Sequence, residues 1–295
     1  MHKALFWEKE GQSVRCRLCP HQCLVPDGSS GICRVRHNHE GELYARSWGI
    51  LPALALDPVE KKPFARFHPG AFILSAGFYG CNMRCLFCQN WSISQSGSPS
   101  PDGDPWSGAG DIVSPEALVR TALDMKKHGN IGIAFTYSEP LVNIEFILET
   151  APLARKEGLL VAVVTNGYIN EDALSVLLPH VDAFNIDLKA FSESFYRDLC
   201  GASLSPVLQT ITAAHSRAHV ELTTLVIPGH NDSEDEIDAL SSWIASLSAD
   251  IPLHLNRHHP DYRMTDVPPV ELDRLAALAR IARTHLSCVH NGNIN

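Results

Sequence analysis

The chain reads as an α/β protein, a partial (β/α)6 barrel with a small cysteine-rich segment ahead of it. Three observations predict this. Six short apolar runs alternate with amphipathic stretches from residue 72 onward. Turn and capping residues separate the two kinds of segment. The polar residues that carry chemistry fall just after the apolar runs, where parallel βα folds place their sites.

The runs are 72–78, 131–136, 159–165, 181–187, 219–226 and 251–256. Apolar runs of this length, separated by helical patterns, predict parallel strands with helical crossovers. Two helices announce their starts. Ser114-Pro115-Glu116 offers an N-cap followed by proline at the first helical position, where its missing N–H is no loss. Asn231 to Glu236 places acidic residues in a first turn, where they complement the helix dipole. The core is expected over 66–295 and a cysteine-rich metal-binding extension over 1–65. Segment 96–110 is dominated by Gly, Pro and Ser and predicts a loop, with Trp106 holding it as a lid in the functional reading.

Composition narrows the class. Hydrophobic residues make up 45% and charged residues 19% of the 295, as in a globular enzyme. No apolar run approaches the ~18 residues of a membrane span. The opening Met1 to Glu10 lacks the apolar core of a signal peptide, so a cytoplasmic protein is expected. The net charge of −9 comes without a basic stripe, which gives a nucleic-acid partner no support. Nine cysteines in a cytoplasmic chain point to metal or redox work, since disulfides rarely persist there.

Three of those cysteines, Cys81, Cys85 and Cys88, lie in one stretch from Gly80 to Asn90. Ferredoxin-type [4Fe–4S] clusters take four thiolates, one per iron. A C-x3-C-x2-C loop with no fourth cysteine nearby leaves one iron open to an outside ligand. The amino and carboxylate groups of S-adenosylmethionine (SAM) can take that place, so that one electron reaches the sulfonium and yields a 5′-deoxyadenosyl radical. The alternatives are a reduced structural set or part of a zinc site. With Phe87 just before the last cysteine, the stretch resembles the radical SAM signature, and residues 72–78 supply the preceding strand that the motif requires.

Further motifs narrow the resemblance. Tyr137-Ser138-Glu139-Pro140 stands where many radical SAM enzymes carry a Gly-Gly-Glu-Pro segment that receives the SAM amino group. Val164 to Gly167 resembles the turn that meets the SAM ribose and carboxylate. Asp187-Leu188-Lys189 and the Pro228-Gly229 to Asp232 turn are similar to those of glycyl-radical activases such as the pyruvate formate-lyase activase. Over 44–95 and 131–266 the chain resembles the radical SAM enzyme of the AmmeMemoRadiSam system. Tyr44 to Gly49, Leu56 to Pro63, Thr165 to Asn170 and His259 to Tyr262 carry that likeness. The resemblance implies the barrel, a [4Fe–4S] cluster held by Cys81, Cys85 and Cys88, and SAM held by Phe87, Ser138, Glu139, Asn166, Asp187 and Lys189. It implies a flavodoxin- or ferredoxin-type electron donor and, as partners, AMMECR1-like and Memo-like proteins. Two departures matter. Val164 replaces an acidic residue that helps hold a cation in the activases, and the chain lacks a cysteine-rich tail after Asn291-Gly292-Asn293.

A second constellation, Cys16-x2-Cys19-x3-Cys23-x9-Cys33, is compact and rich in turn residues. Thiolates at this spacing suit zinc or an auxiliary iron–sulfur cluster, and neither spacing nor the nearby His21, His37 and His39 decides between them. Cys200 and Cys288 read as core thiols. His258 and His259 are adjacent and face opposite ways in extended chain, so they do not share a metal; they are the candidates for acid–base work on the substrate. The expected function is reductive cleavage of SAM followed by hydrogen abstraction from a substrate that the sequence does not name. The alternatives are an activase acting on a protein glycine and a non-catalytic iron–sulfur or zinc scaffold.

Overall fold

A computed structural model describes residues 1–95 and 112–294; the predicted loop over 96–110, with Trp106, lies outside them. The N-terminal part forms two three-stranded antiparallel sheets from β1 (His2–Lys3), β2 (Trp7–Glu10), β3 (Ser13–Cys16), β4 (Leu24–Val25), β5 (Arg36–His39) and β6 (Glu42–Ala45). Their orders are β1-β6-β5 and β2-β3-β4. These strands are too short and polar to bury a core alone. They are fastened instead to the rest of the chain by a buried ion pair, Arg36 Nη1 to Glu145 Oε1 at 2.8 Å. The same carboxylate oxygen accepts from the N–H of Leu5 at 2.7 Å.

The main sheet has eight strands. They are β7 (Ala53–Pro58), β8 (Phe72–Gly77), β9 (Asn130–Thr136), β10 (Leu160–Thr165), β11 (Ala183–Asp187), β12 (His219–Val226), β13 (Leu253–Arg257) and β14 (Val289–Gly292). They neighbour one another in chain order. β8 to β14 run parallel, and β7 pairs antiparallel with β8 at one edge. The six predicted runs are β8 to β13. The two edge strands lie outside those runs: β14, Val-His-Asn-Gly, is weakly apolar, and β7, Ala-Leu-Ala-Leu-Asp-Pro, is only four apolar residues before Asp57-Pro58.

The helices follow the capping chemistry. α1 (Trp91–Ser94) is a single turn after the cysteine loop. α2 (Pro115–Asp124) starts at Ser114, whose side chain accepts from the N–H of Ala117. α3 (Ile144–Lys156), α4 (Glu171–Leu177), α5 (Glu193–Phe195) and α6 (Leu204–His215) connect the middle strands. α7 (Glu234–Leu247) is capped by Ser233 and carries Glu234, Asp235 and Glu236 in its first turn. α8 (Leu272–Ala282) precedes β14. The buried strand and helix faces merge into one large core, so the sheet is a rigid frame for the loops at its C-terminal rim. Among the described residues no helix is long and apolar enough to cross a membrane.

Candidate functional site

A cleft of about 330 Å³ opens at the C-terminal rim, within the ~300–1,000 Å³ typical of small-molecule sites. Cys81, Cys85 and Cys88 line it from the loop after β8. Tyr137 and Ser138 follow β9, Thr165 and Asn166 end and follow β10, and Asp187 and Lys189 end and follow β11; Thr223 and Asn256 come from β12 and β13. A larger hollow of about 760 Å³ lies at the opposite end of the sheet, between Arg155 and His219, and no cysteine lines it.

The cysteine loop is held by its backbone. Arg84 N–H donates to the Cys200 carbonyl at 2.8 Å, Leu86 N–H to Leu199 at 3.0 Å and Arg263 N–H to Leu86 at 3.0 Å. Gly80 enters the loop at φ +88°, and a Cβ there would stand 2.7 Å from the Cys33 carbonyl, so glycine is required. Polar groups then face the sulfurs. Met83 N–H lies 3.3 Å from Cys81 Sγ, the Asn166 amide 3.6 Å from the same sulfur, and Ser94 Oγ 3.2 Å from Cys88 Sγ. Burial raises Cys81 and Cys88 above the ordinary thiol value. A hydrogen bond with Cys200 lowers Cys85 despite its burial. Cys200, expected as an inert core thiol, therefore sits against a cleft cysteine. Cys288 meets His290 Nε2 at 3.0 Å.

Of the residues expected around SAM, five line the cleft: Phe87, Ser138, Asn166, Asp187 and Lys189. Burial opposes the Lys189 charge, yet Asp187 at 2.8 Å raises its pKa well above the usual lysine value. Its ammonium also stands 6.0 Å from the centre of the Phe87 ring. Glu139 is different. It is 1% exposed and stands behind the wall. Oε1 accepts from Thr165 Oγ1 at 2.6 Å and Leu141 N–H at 3.0 Å, and Oε2 from Asn166 N–H at 2.8 Å. Burial pushes its carboxyl up to about 7, against those hydrogen bonds. Glu139 thus sets the position of Thr165 and Asn166 rather than facing the hollow.

Neither histidine candidate lines the cleft. His258 is fully buried, and burial lowers its pKa. His259 turns Nε2 to the Asn293 carbonyl at 3.2 Å. The structure instead brings in Lys62 and Tyr137, and the amides Asn90, Asn185, Asn256 and Asn293. The strand-end amides were legible as polar residues closing apolar runs. Lys62 was not, because it comes from the antiparallel edge.

Cys16, Cys19, Cys23 and Cys33 line a second, small and enclosed hollow with Leu18, Ile32 and Val142. Burial pushes Cys19 up to about 12 and Cys33 up to about 11. Among the described residues no three His, Cys, Asp or Glu side chains are placed to hold a single metal ion. A [4Fe–4S] cluster assigns its thiolates to separate irons and needs no convergence on one point. Three thiols on the wall of one cleft, with N–H and O–H donors at their sulfurs, fit such a cluster by donor chemistry.

Comparison with known proteins agrees. Residues 77–240 match the radical SAM superfamily. An uncharacterised protein of Methanocaldococcus jannaschii is 39% identical over all of this chain and 86% of its own length. The pyruvate formate-lyase 1-activating enzyme of Escherichia coli K12 is 24% identical over 62% of this chain and 72% of its own length. The crystal structure of a radical SAM methyltransferase from Sphaerobacter thermophilus superposes with a TM-score of 0.59 at 15% identity, over 76% of this chain and 67% of that one. With its cysteine loop and strands β9 to β12 inside the matched region, the chain belongs to the radical SAM superfamily and is homologous to the pyruvate formate-lyase activating enzymes.

Proposed function

We propose that this chain is a SAM-cleaving oxidoreductase of the AmmeMemoRadiSam kind that abstracts a hydrogen atom from its substrate. The observation that carries the reading is the placement of Cys81, Cys85 and Cys88 on the wall of the cleft that receives the polar ends of β9 to β13. The three thiolates would hold a [4Fe–4S] cluster. Ser138, Asn166, Asp187 and Lys189 would hold SAM, and Phe87 supplies an apolar face. The bound cluster and SAM together supply one-electron cleavage to a 5′-deoxyadenosyl radical. The chain's own part is placement. Glu139 fixes the Thr165–Asn166 turn, and Lys189, paired with Asp187, keeps a cation in the cleft. The buried sheet beneath keeps bulk water from the reacting face.

The main sheet fits a partial barrel over 66–295, with β7 added from the 1–65 extension. The electron comes from a flavodoxin- or ferredoxin-type donor, as is general for radical SAM enzymes, and a cytoplasmic location is proposed with it. AMMECR1-like and Memo-like proteins are its proposed partners. A second reading, an activase acting on a protein glycine, is supported by the activating-enzyme homologues.

The test is anaerobic turnover with a reductant, reading methionine and 5′-deoxyadenosine. The wild type should release both, and the variant with Cys81, Cys85 and Cys88 all changed to Ala neither. SAM cleavage by that variant would overturn the reading. Deuterium carried from a labelled extract component into deoxyadenosine identifies the substrate, and a glycyl radical on a co-purified protein would select the activase reading.

A further inference from the structure

We propose that Cys16, Cys19, Cys23 and Cys33 bind a second iron–sulfur cluster, which stands beside the Cys81–Cys88 loop and hands it electrons. The binding of that cluster is independent of the function above; its role as a relay rests on it.

The four thiols line one enclosed hollow whose other walls are largely apolar. Arg36 lines the same hollow and is 1% exposed. Its Nη1 is held by Glu145 at 2.8 Å and its Nη2 by the Leu5 carbonyl, but Nε is buried with no partner among the described residues. A buried guanidinium N–H beside four cysteines is a charge that anionic metal–thiolate groups would satisfy. The amide of Ile32 is likewise turned toward Cys23 Sγ, at 3.5 Å.

Position selects iron–sulfur over zinc. The Cys33 carbonyl and the Val35 side chain pack onto Gly80, the residue before Cys81; a Cβ on Gly80 would meet them at 2.7 and 2.6 Å. His21 Nε2 meets the Asn82 carbonyl at 2.7 Å, inside the cysteine loop itself. The two cysteine sets are thus back to back, joined through backbone. Zinc has no redox chemistry and gains nothing from this adjacency. An electron carrier does. The flavodoxin- or ferredoxin-type donor loses one electron, the second cluster accepts it and returns to its oxidised state on passing it on, and SAM cleavage consumes it. No bond forms or breaks at the relay.

The experiment uses the full chain, reconstituted anaerobically with iron and sulfide. The wild type should bind about eight irons and the Cys81/Cys85/Cys88→Ala variant about four, counting one [4Fe–4S] cluster per cysteine set. Reduced with dithionite, that variant should give an EPR signal that SAM does not change. In the doubly reduced wild type the two signals should broaden one another, as neighbouring paramagnets do. One zinc, or no metal, in the triple variant overturns the second cluster. If that variant does not fold, a wild-type count of about four irons overturns it equally. Two uncoupled signals overturn the relay while leaving the cluster in place. A wild-type signal indifferent to SAM overturns the SAM reading and the relay together, with four irons in the triple variant still supporting the second cluster.

Discussion

Tyr137 donates a 2.8 Å hydrogen bond from its phenol to Oδ2 of Asp57, joining the turn after β9 to the antiparallel edge strand β7. The same oxygen takes the Lys62 ammonium at 2.8 Å, and that ammonium stands 4.1 Å from the centre of the Tyr137 ring. Tyr137 lies at φ +71°, a left-handed conformation that costs a bulky residue free energy. The contacts offset that cost. Burial works to raise the Asp57 carboxyl, but Lys62 and Tyr137 hold it down to about 2. The partner phenol is pushed up to about 12 by burial and by that carboxylate. Removing the hydroxyl in Tyr137→Phe should therefore cost about 1.5–3 kcal/mol, the worth of a hydrogen bond to a charged group. Urea unfolding should show a lower midpoint at unchanged slope. A wild-type midpoint would mean that the bond contributes nothing.

One buried ion pair ties the N-terminal sheets to α3. Arg36 and Glu145 are each 1% exposed, and Glu145 Oε1 also accepts from Leu5. In Glu145→Ala a buried guanidinium loses its counter-charge, which typically costs about 3–5 kcal/mol. Protease cleavage should appear first within residues 1–45, because this pair is a buried link between that part and α3. Cleavage that begins in the main sheet instead would refute the anchor.

The frame was legible in the sequence and much of the cleft was not. The six central strands announce themselves as apolar runs, Ser114 caps α2 as its pattern predicts, and Glu234 to Glu236 fall in the first turn of α7 as expected. Burial on both faces makes such strands continuous in hydrophobicity, so they read well. β14, at one sheet edge, is too weakly apolar to read, and β7, at the other, is a short apolar stretch closed by Asp57-Pro58 that pairs antiparallel and so falls outside the alternating βα pattern. Missing β7 meant missing Lys62 and the partner of Tyr137. Glu139 was legible as a residue of the site, but its role was not. A sequence places a carboxylate after a strand without saying which way it points, and here it points into the wall. His258 shows the reverse case, a reactive residue type that the packing has buried away from the cleft.

At the other end of the sheet, Glu221 accepts from His219 at 2.9 Å and His254 at 2.7 Å. It also accepts from the N–H groups of Ala65 and Arg66, each at 2.8 Å. Burial works to raise its carboxyl, but these donors outweigh it and hold the pKa well below the ordinary 4.5. A depressed folded-state pKa stabilises the fold above the unfolded value, and that stability drains away as pH falls. Stability should therefore begin to fall below about pH 4.5 and keep falling toward the lower folded value. Glu221→Gln, which does not titrate, should flatten that limb while lowering stability at pH 7. An acid limb of equal slope in the variant would assign the loss to other carboxylates.

Glu139 gives the most direct check on the cleft wall. Its two oxygens hold Thr165 Oγ1, Asn166 N–H and Leu141 N–H, and Asn166 in turn reaches Cys81 Sγ and, at 2.9 Å, Asn82 Oδ1. Glu139→Ala leaves three buried donors without an acceptor, a loss of about 2–4 kcal/mol once the gain from removing a desolvated carboxylate is set against it. Released from Glu139, the Asn166 turn should bind SAM roughly tenfold more weakly, equivalent to about 1.4 kcal/mol. The iron content should stay at the wild-type value, because Glu139 touches no sulfur-bearing side chain through its hydrogen bonds. Glu139→Gln separates shape from charge. Its amide oxygen can serve Thr165 and Leu141, but its NH2 then faces the Asn166 N–H, donor against donor. The glutamine variant should recover most of the stability and little of the SAM affinity. Equal recovery of both would show that Asn166 does not depend on this carboxylate.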